Sequence, residues 1–137
     1  YKRQLWSGAN DTLREKIGED YPRDTFRHEQ DLLVTENGKT ALFAGCAHCG
    51  IVNILKSAED VLGRAPDAVF AGFHLYNPSL GKSEPDELVD AVGEKLRGDK
   101  VAHYFTGHCT GKEAYERLKR KLGDRLGEMP AGSDFTV

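Results

Sequence analysis

Residues 31–62 read DLLVTENGKTALFAGCAHCGIVNILKSAEDVL and predict a β-hairpin followed directly by a helix. Two β-prone runs, LLVT and TALFA, lie on either side of Asn37 and Gly38, a pair that supplies the positive φ angles of a type I′ turn. After a glycine-containing loop, apolar side chains recur at helical spacing until Gly63, which is a typical residue at the end of a helix. This segment therefore indicates two antiparallel strands and an amphipathic helix.

Strands and helices alternate in the chain that follows. Residues 68–71 (AVFA) and 101–105 (VAHYF) are short apolar runs typical of buried strands. Ser83 is predicted to cap the helix between them, and Thr110 begins a capping box for a last helix. Strands that alternate with helices pair in parallel through right-handed crossovers. The chain is therefore predicted to be an α/β protein with a mixed sheet, in which the hairpin is followed by alternating helices and strands.

The segment before the hairpin is predicted to be an irregular lead-in. Residues 1–30 are polar and are interrupted by glycine and proline, so their weak periodicity supports one short helix at most. Asn10 or Asp11 would cap that helix, and Phe26 is the first side chain expected in the core.

Two further segments follow the lead-in. Residues 31–123 are predicted to form an α/β half-domain that carries the histidine-containing loops. Residues 124–137 are predicted to be a C-terminal tail, in which residues 135–137 (FTV) form a last strand.

Composition excludes several classes of protein. The chain has 137 residues, which suits one domain of the usual ~100–200 residues. Its net charge of −3 provides no basic field for nucleic acid, and no apolar run approaches the ~18–20 residues of a membrane-spanning helix. We therefore expect neither nucleic acid nor a membrane as a partner. The three cysteines are an odd number at low density, which favours a reducing compartment and hence the cytoplasm.

Each of three predicted strands is followed by a glycine and then, within three residues, by a histidine. The histidines are His48 in GCAHCG, His74 in GFH and His108 in GHC. Because the carboxyl ends of parallel strands lie along one edge of a sheet, we expect these three imidazoles to converge there. Neutral imidazole is a common ligand of zinc and similar ions, so the pattern predicts a metal site. The alternative is that each histidine is a hydrogen-bonded loop residue, as we expect for His28 and His103.

Cys46 and Cys49 form a CxxC pair between a strand and a helix, which is also typical of a thioredoxin-like thiol–disulfide oxidoreductase. Two features disfavour that alternative: a hairpin stands where a βαβ unit would be expected, and the loops of His74 and His108 would have no purpose. The two cysteines could also be small packing residues in a tight turn. A structural zinc site completed by Cys109 or His108 is disfavoured, since three ligands within residues 46–49 would crowd a single turn.

Four segments of the chain resemble the metallo-β-lactamase superfamily. The resemblance is closer to its branch similar to dihydropterin–ribofuranosylaminobenzene-phosphate synthase. The segments are DTFRHEQDL at 24–32, LFAGCAHCGIVNIL at 42–55, AGFHL at 71–75 and TGHCTG at 106–111. They occur in the order of that family and span most of the chain, so the match is more specific than any single motif.

The resemblance implies that the chain is the C-terminal half of an αββα sandwich with a metal site at one edge of the sheets. His48 and His108 then correspond to metal ligands, and His74 to a residue that binds metal or substrate. The implied cofactor is a divalent metal, with zinc as the first choice and iron or manganese as alternatives. Cys46 and Cys49 would flank the ligand loop without a redox role.

The resemblance also implies a metal-dependent hydrolase or a related group transferase, in which a metal-bound water attacks a small-molecule substrate of the phosphorylated or pterin-like kind. The His-x-His-x-Asp-His motif that supplies the other ligands in this family does not occur in the chain. Since the chain also starts at Tyr1 rather than at a methionine, we expect it to be processed or part of a longer protein. It would then be inactive alone and need a missing N-terminal half or a second chain.

A physical argument supports the same expectation of a partner. A sheet that is covered by helices on one face leaves its other face apolar and in need of cover. The remaining alternative is therefore a non-catalytic interaction module, a half-fold that docks onto another chain through the face around Phe43 and Val69.

Overall fold

The structure is a computed structural model that describes residues 5–137, so the first four residues of the predicted lead-in lie outside the described residues. In chain order the elements are β1 (Asp31–Glu36), β2 (Lys39–Ala44), α1 (Ile51–Leu62), β3 (Ala68–Phe70), β4 (Tyr76–Asn77), β5 (Lys82–Ser83), α2 (Asp86–Gly98), β6 (His103–Thr106), α3 (Lys112–Leu122) and β7 (Leu126–Glu128). The main sheet has the strand order β1-β2-β3-β6-β7, and β4 and β5 form a separate short hairpin. In the main sheet β1 is antiparallel to β2 and the other neighbours are parallel, which confirms the predicted mixed sheet.

The hairpin forms where its turn residues predict it. Asn37 and Gly38 have φ angles of 49° and 78°, the two positive values that a type I′ turn requires. The register places Leu33 opposite Leu42, so the apolar side chains of β1 and β2 that face the core are cross-strand neighbours. Gly63 ends α1 in the left-handed conformation, with a φ angle of 71°.

All three helices pack on one face of the sheet. Four of its strands contribute a fully buried side chain to this face, and these are Leu42, Val69, Tyr104 and Leu126. They form one continuous apolar core with the inward faces of α1, α2 and α3. In the described part of the chain, no helix is both long enough and apolar enough to cross a membrane.

The opposite face of the sheet is apolar and partly uncovered. Because side chains alternate across a strand, the residues next to the core positions point to this face. Phe43, Phe70 and Phe105 stack there in a row, with ring centroids 4.9 and 4.8 Å apart. Phe135 of the tail packs against Phe70 and Phe105, whereas Phe43 remains 41% exposed and Leu32 of β1 59% exposed.

The last strand is not where the sequence predicts it. Residues 135–137 form no strand and lie against the open face, whereas β7 pairs in parallel with β6 through Leu126. Leu126 is fully buried, so the pairing of β7 directly after α3 adds an apolar side chain to the core. The division of the chain at residues 30 and 123 stays a prediction.

Two predicted helix caps are also wrong. Ser83 lies in β5, and α2 begins after Pro85, whose fixed φ angle suits a helix start and which has no N–H that needs a cap. Thr110 does not cap α3, which follows Gly111 without a side-chain cap. Its hydroxyl is instead used in the core between strand ends, where it accepts a hydrogen bond from the Phe73 N–H at 2.9 Å.

The lead-in contains a short 3-10 helix, Gly8–Thr12, whose cap is Ser7 rather than the predicted Asn10 or Asp11. Asn10 is fully buried within this turn. Phe26 is buried as predicted. Both side chains lie against the loop that follows β2, so the lead-in is part of the candidate site.

Candidate metal centre

Three loops meet at the carboxyl edge of the parallel strands, as the sequence predicts. Backbone hydrogen bonds join the loop after β3 to the two loops on either side of it. The Gly72 N–H donates to the Gly45 carbonyl at 2.8 Å, and the Leu75 N–H donates to the Cys109 carbonyl at 3.1 Å. The histidines that follow β2, β3 and β6 are therefore carried on one connected surface.

Backbone strain is concentrated in these loops. Ala47, His74 and His108 have φ angles of 51°, 47° and 50°, in the left-handed region that residues other than glycine rarely adopt. Phe26, which packs on His48, also has a positive φ angle of 54°. Each such residue costs of order 1–3 kcal/mol and persists only where its surroundings enforce it, and such residues cluster at functional sites.

His48 is held by the side chain of Asn10. The amide nitrogen of Asn10 donates to the His48 carbonyl at 2.8 Å, which places its amide oxygen 3.0 Å from Nδ1 of the His48 ring. Because an amide oxygen can only accept, Nδ1 must carry the proton and donate it. The lone pair of the neutral ring is then on Nε2, which is the form that binds a metal. Burial lowers the pKa of His48 and favours this neutral form.

The backbone around His48 is held by Glu29. Its two carboxylate oxygens accept hydrogen bonds from the N–H groups of His48 and Cys49, each at 2.7 Å. The ring of Phe26 stacks on the His48 imidazole with centroids 4.5 Å apart and planes 2° apart. The sequence predicts no such roles for Asn10 and Glu29, although Glu29 lies in one of the segments of the family resemblance.

His74 is a buried imidazole without hydrogen bonds. Its ring lies beside that of His48, with centroids 4.1 Å apart, and the residue is only 6% exposed. Neither ring nitrogen has a hydrogen-bond partner among residues 5–137, although the Ala9 backbone is close enough to favour the charged form of the ring. Burial and the neighbouring His48 lower the pKa of His74 to about 4, so the ring is neutral at pH 7. We refer to His48 and His74 together as the imidazole end of the site.

The side chains of Cys46, His108 and Cys109 form a second group, which we call the thiol end. Their ligand atoms all lie within 4.8 Å of one another, and Sγ of Cys46 is 3.6 Å from Nδ1 of His108. Cys109 donates to the Cys46 carbonyl at 3.6 Å. Burial and the adjacent Cys46 raise the pKa of the Cys109 thiol to about 12, so without a cation this thiol stays protonated.

The structure thus brings the three predicted histidines to one edge and divides them between two ends. Among residues 5–137, two groups of at least three potential ligands have all their ligand atoms within 4.8 Å, and they are Cys46–His108–Cys109 and Glu15–Asp24–His28. His48, His74 and His108 are not such a group by themselves. His108 is nonetheless close enough to His74 to affect its pKa.

The residues present fit a divalent metal ion. His74 offers two buried nitrogens that have no partner in the described part of the chain, a costly arrangement that a bound ion would relieve. His48 offers a bare Nε2 that is oriented from behind by Asn10, as is usual for metal-binding histidines. This nitrogen and sulfur donor set is the one that zinc prefers, and iron is also compatible with it.

The contacts of the cysteines do not favour a thioredoxin-like pair. The three cysteines, all within the described residues, are thiols rather than a disulfide. Cys46 faces His108, whereas Sγ of Cys49 donates to the Phe26 carbonyl at 3.6 Å and the residue packs against the core. The two thiols of the CxxC motif therefore have different neighbours.

An open pocket of about 280 Å³ adjoins the thiol end. It lies between the β6–α3 loop and the segment after β7, and its lining includes His108, Lys112, Tyr115 and Met129. A small molecule in this pocket would contact the His108 loop.

Comparisons with known proteins agree with this description. No family model matches the chain. In sequence it is 30% identical over 101 residues to the 7,8-dihydropterin-6-methyl-4-(β-D-ribofuranosyl)-aminobenzene-5′-phosphate synthase of Methanocaldococcus jannaschii, an alignment that covers 73% of this chain and 32% of that protein. In structure it is similar to Tm1679, a metal-dependent hydrolase of the β-lactamase superfamily, with a TM-score of 0.77, 23% identity, and coverage of 96% of this chain and 51% of that one.

The chain therefore spans about a third of the length of that relative and about half of the solved structure. The predicted resemblance is confirmed by both similarities. The predicted fold class is confirmed as well, because the chain has a mixed sheet and an α/β fold similar to that of this solved structure from the β-lactamase superfamily.

Proposed function

We propose that the chain carries part of the metal centre of a metal-dependent hydrolase or a related group transferase. The observation that carries this proposal is His74, a buried imidazole whose two nitrogens have no partner among residues 5–137 and whose ring lies beside that of His48. An uncompensated polar group in the core destabilises a protein, so its presence at a strained loop favours a functional role. His48, His74 and His108 are the proposed ligands.

A divalent ion at this edge would supply Lewis-acid polarisation of the substrate and activate water as the nucleophile. The role of the chain's own residues is to hold neutral imidazoles in fixed positions. Asn10 keeps the proton of His48 on Nδ1, and Glu29 fixes the backbone of the His48 loop. Burial keeps His74 uncharged, so that it does not repel a cation. Zinc is the first choice of ion, with iron or manganese as alternatives.

The proposed substrate is a small molecule that occupies the pocket beside His108. The pocket volume of about 280 Å³ is just below the usual range of ligand sites, which is ~300–1,000 Å³. Lys112 and Glu128 both line it, and Lys112 would contact an anionic group such as a phosphate ester bound at its end of the pocket. The similarity to a synthase whose name includes a dihydropterin and a ribofuranosyl phosphate supports a phosphorylated or pterin-like compound.

The remaining ligands are proposed to come from the missing N-terminal half of the same protein or from a second chain. Two observations support this: the alignment with Tm1679 covers only 51% of that chain, and the face with Leu32 and Phe43 is apolar and partly exposed. A second sheet packed on this face would complete the sandwich and bury these side chains. We further propose that the protein works in the cytoplasm, where its cysteines stay reduced.

Metal analysis of the complete protein tests the proposed centre. We expect near-stoichiometric zinc, iron or manganese, and expect His48→Ala and His74→Ala each to lower the metal content below that of the wild type. His103→Ala is the matched control, because His103 is an exposed histidine of β6 whose ring stacks near Phe105. Wild-type protein that binds no metal, or His48→Ala and His74→Ala proteins that retain it fully, would contradict the proposal.

A second candidate, a non-catalytic module that docks through the open face, is favoured only by the exposure of that face. Phe43→Asp tests whether the open face is the interface when association with the N-terminal half is measured by gel filtration, and metal binding and hydrolysis separate the two candidates. We expect the charge to weaken association in either case. If the protein is the enzyme, the wild-type complex should bind metal and hydrolyse phosphate esters, and a chelator should stop the hydrolysis. A non-catalytic module should do neither.

A further inference from the structure

We infer that Cys46, Cys109 and His108 form a binding position for a thiophilic divalent ion, with two thiolates and one imidazole as its ligands. This inference assigns the ligands of the thiol end, and it rests on the proposed function only in treating this edge as a metal centre. Binding by the thiols does not require that the protein be a hydrolase, so the two ideas can fail separately.

The geometry of the three side chains already approaches that of a tetrahedral site. At the bond lengths of zinc to sulfur and nitrogen, tetrahedral geometry separates ligand atoms by about 3.4–3.8 Å. Sγ of Cys46 lies 3.6 Å from Nδ1 of His108, and Sγ of Cys109 is within 4.8 Å of Sγ of Cys46 and of a ring nitrogen of His108. Small side-chain rotations would bring all three atoms onto one ion.

The backbone is built to let the two thiols meet. Cys46 follows β2 and Cys109 follows β6, and these strands are separated by β3. The side chain of Cys109 approaches Cys46 across Gly72, the residue of the loop after β3 that lies between the two cysteines. A Cβ at Gly72 would lie 2.6 Å from Sγ of Cys109 and 3.5 Å from Cα of Cys46. The absence of a side chain at this position is therefore what allows Cys109 to reach towards Cys46.

The chemistry of the group favours a thiophilic ion over magnesium or calcium, which prefer oxygen ligands. Two cysteines and one histidine leave a fourth tetrahedral position for a further ligand, and His108 is an exposed residue. When the ion binds, both thiols become thiolates and their two protons go to solvent. The two positive charges of the ion then balance the two negative charges of the thiolates.

Titration of the full chain with Co²⁺ under reducing, oxygen-free conditions tests the inference. Thiolate ligands give cobalt an intense near-ultraviolet charge-transfer absorption that histidine and carboxylate ligands do not. We expect this absorption in the wild-type chain, its loss in Cys46→Ser and Cys109→Ser, and at least a tenfold weaker affinity for cobalt in both. Cys49→Ser is the matched control, because its thiol faces the Phe26 carbonyl, and it should behave as wild type.

A second measurement needs no variant and so does not depend on their folding. Zn²⁺ added to the wild-type chain should slow the alkylation of Cys46 and Cys109 by iodoacetamide, while the rate at Cys49 stays within twofold, as read by peptide mass spectrometry. Alkylation rates of Cys46 and Cys109 that are the same with and without zinc would overturn the inference.

The outcomes distinguish this inference from the proposed function. Cobalt bound without a charge-transfer band, and lost in His48→Ala, would overturn the thiol position and leave the proposed centre standing. A charge-transfer band that persists in Cys46→Ser and Cys109→Ser would also overturn it. Thiolate binding that persists in His48→Ala and His74→Ala would support the thiol position as a separate site.

Discussion

The imidazole end and the thiol end lie on the same sheet edge but are held in different ways. At the imidazole end, His48 is fixed by Asn10 and Glu29, which are 38 and 19 residues away in sequence and belong to the irregular lead-in. At the thiol end, the contacts are made between the loops that directly follow β2 and β6. One end thus depends on a polar segment folding back over the edge, whereas the other depends on the loops that follow the parallel strands.

The two ends also differ in burial. His74 is nearly inaccessible, whereas His108 is exposed and Cys46 is intermediate. An ion at the imidazole end would be enclosed by the lead-in, and an ion at the thiol end would keep contact with the pocket. The comparison teaches that histidines with the same local motif acquire different environments from the chain that packs around them.

The largest expected effect comes from His74→Leu. Removing a proposed ligand should lower the metal affinity of the imidazole end by more than about 100-fold. The metal-free chain should be no less stable, because an unpaired buried polar group is replaced by an apolar side chain of similar volume. Competition with a zinc indicator and urea unfolding measure the two quantities. A large loss of stability with unchanged metal affinity would show that His74 is structural.

The second largest effect is expected from acidification of the metal-free chain, which should lower its stability through the imidazole end. Because the pKa of His74 is lowered to about 4 from an ordinary 6.5, the folded state binds fewer protons than the unfolded state in this range. The contribution of His74 to the free energy of unfolding is present above pH 6.5 and is lost as the pH falls towards 4, a change on the order of 3 kcal/mol. Asp31, whose pKa burial and Glu29 raise to about 6, opposes this trend.

Urea unfolding of wild type and His74→Leu between pH 7 and pH 4, with a chelator present, measures this difference. The stability of His74→Leu should fall less steeply than that of wild type. Parallel curves would contradict the assignment of the acid sensitivity to the imidazole end. The Cys109 thiol should not contribute, since burial and the adjacent Cys46 raise its pKa to about 12, far above this range.

Gly72→Ala should disturb the thiol end selectively. The new methyl group would lie 2.6 Å from Sγ of Cys109, so that side chain must move, at a cost of about 2 kcal/mol in the free energy of unfolding. The cobalt charge-transfer band should weaken while zinc binding at His48 and His74 persists. Gly45→Ala is the control, because nothing lies within 4 Å of its Cβ position. Equal effects of the two substitutions would break the comparison.

Asn10→Ala should have the smallest effect, and at the imidazole end alone. Without the amide oxygen, Nδ1 of His48 loses its acceptor and both neutral tautomers become populated, which should weaken metal binding by about tenfold. Long-range ¹H–¹⁵N correlation spectra of labelled histidine report the tautomer in the metal-free chain. Asn53→Ala is the control, since Asn53 donates to the Cys49 carbonyl beside the same loop. A His48 tautomer unchanged in Asn10→Ala would refute the role of Asn10.

Much of the fold can be predicted because its signals are local. The turn at Asn37 and Gly38, the apolar periodicity of α1 and its end at Gly63 all depend on residues that are neighbours in sequence. The position of the three histidines at one edge follows from strand direction, which alternation with helices predicts. The errors arise where a side chain has a better partner far away: Thr110 satisfies the buried Phe73 N–H instead of capping α3.

The amino-acid sequence alone therefore specifies the hairpin, the alternating elements and the edge on which the histidines lie, since each of these follows from local pattern and chain direction. Tertiary structure alone decides that Asn10 orients His48, that His74 is left without a partner, and that Cys109 reaches Cys46 over Gly72. The physical reason is that hydrogen-bond satisfaction and close packing depend on which distant groups are buried together, and no sequence period encodes that.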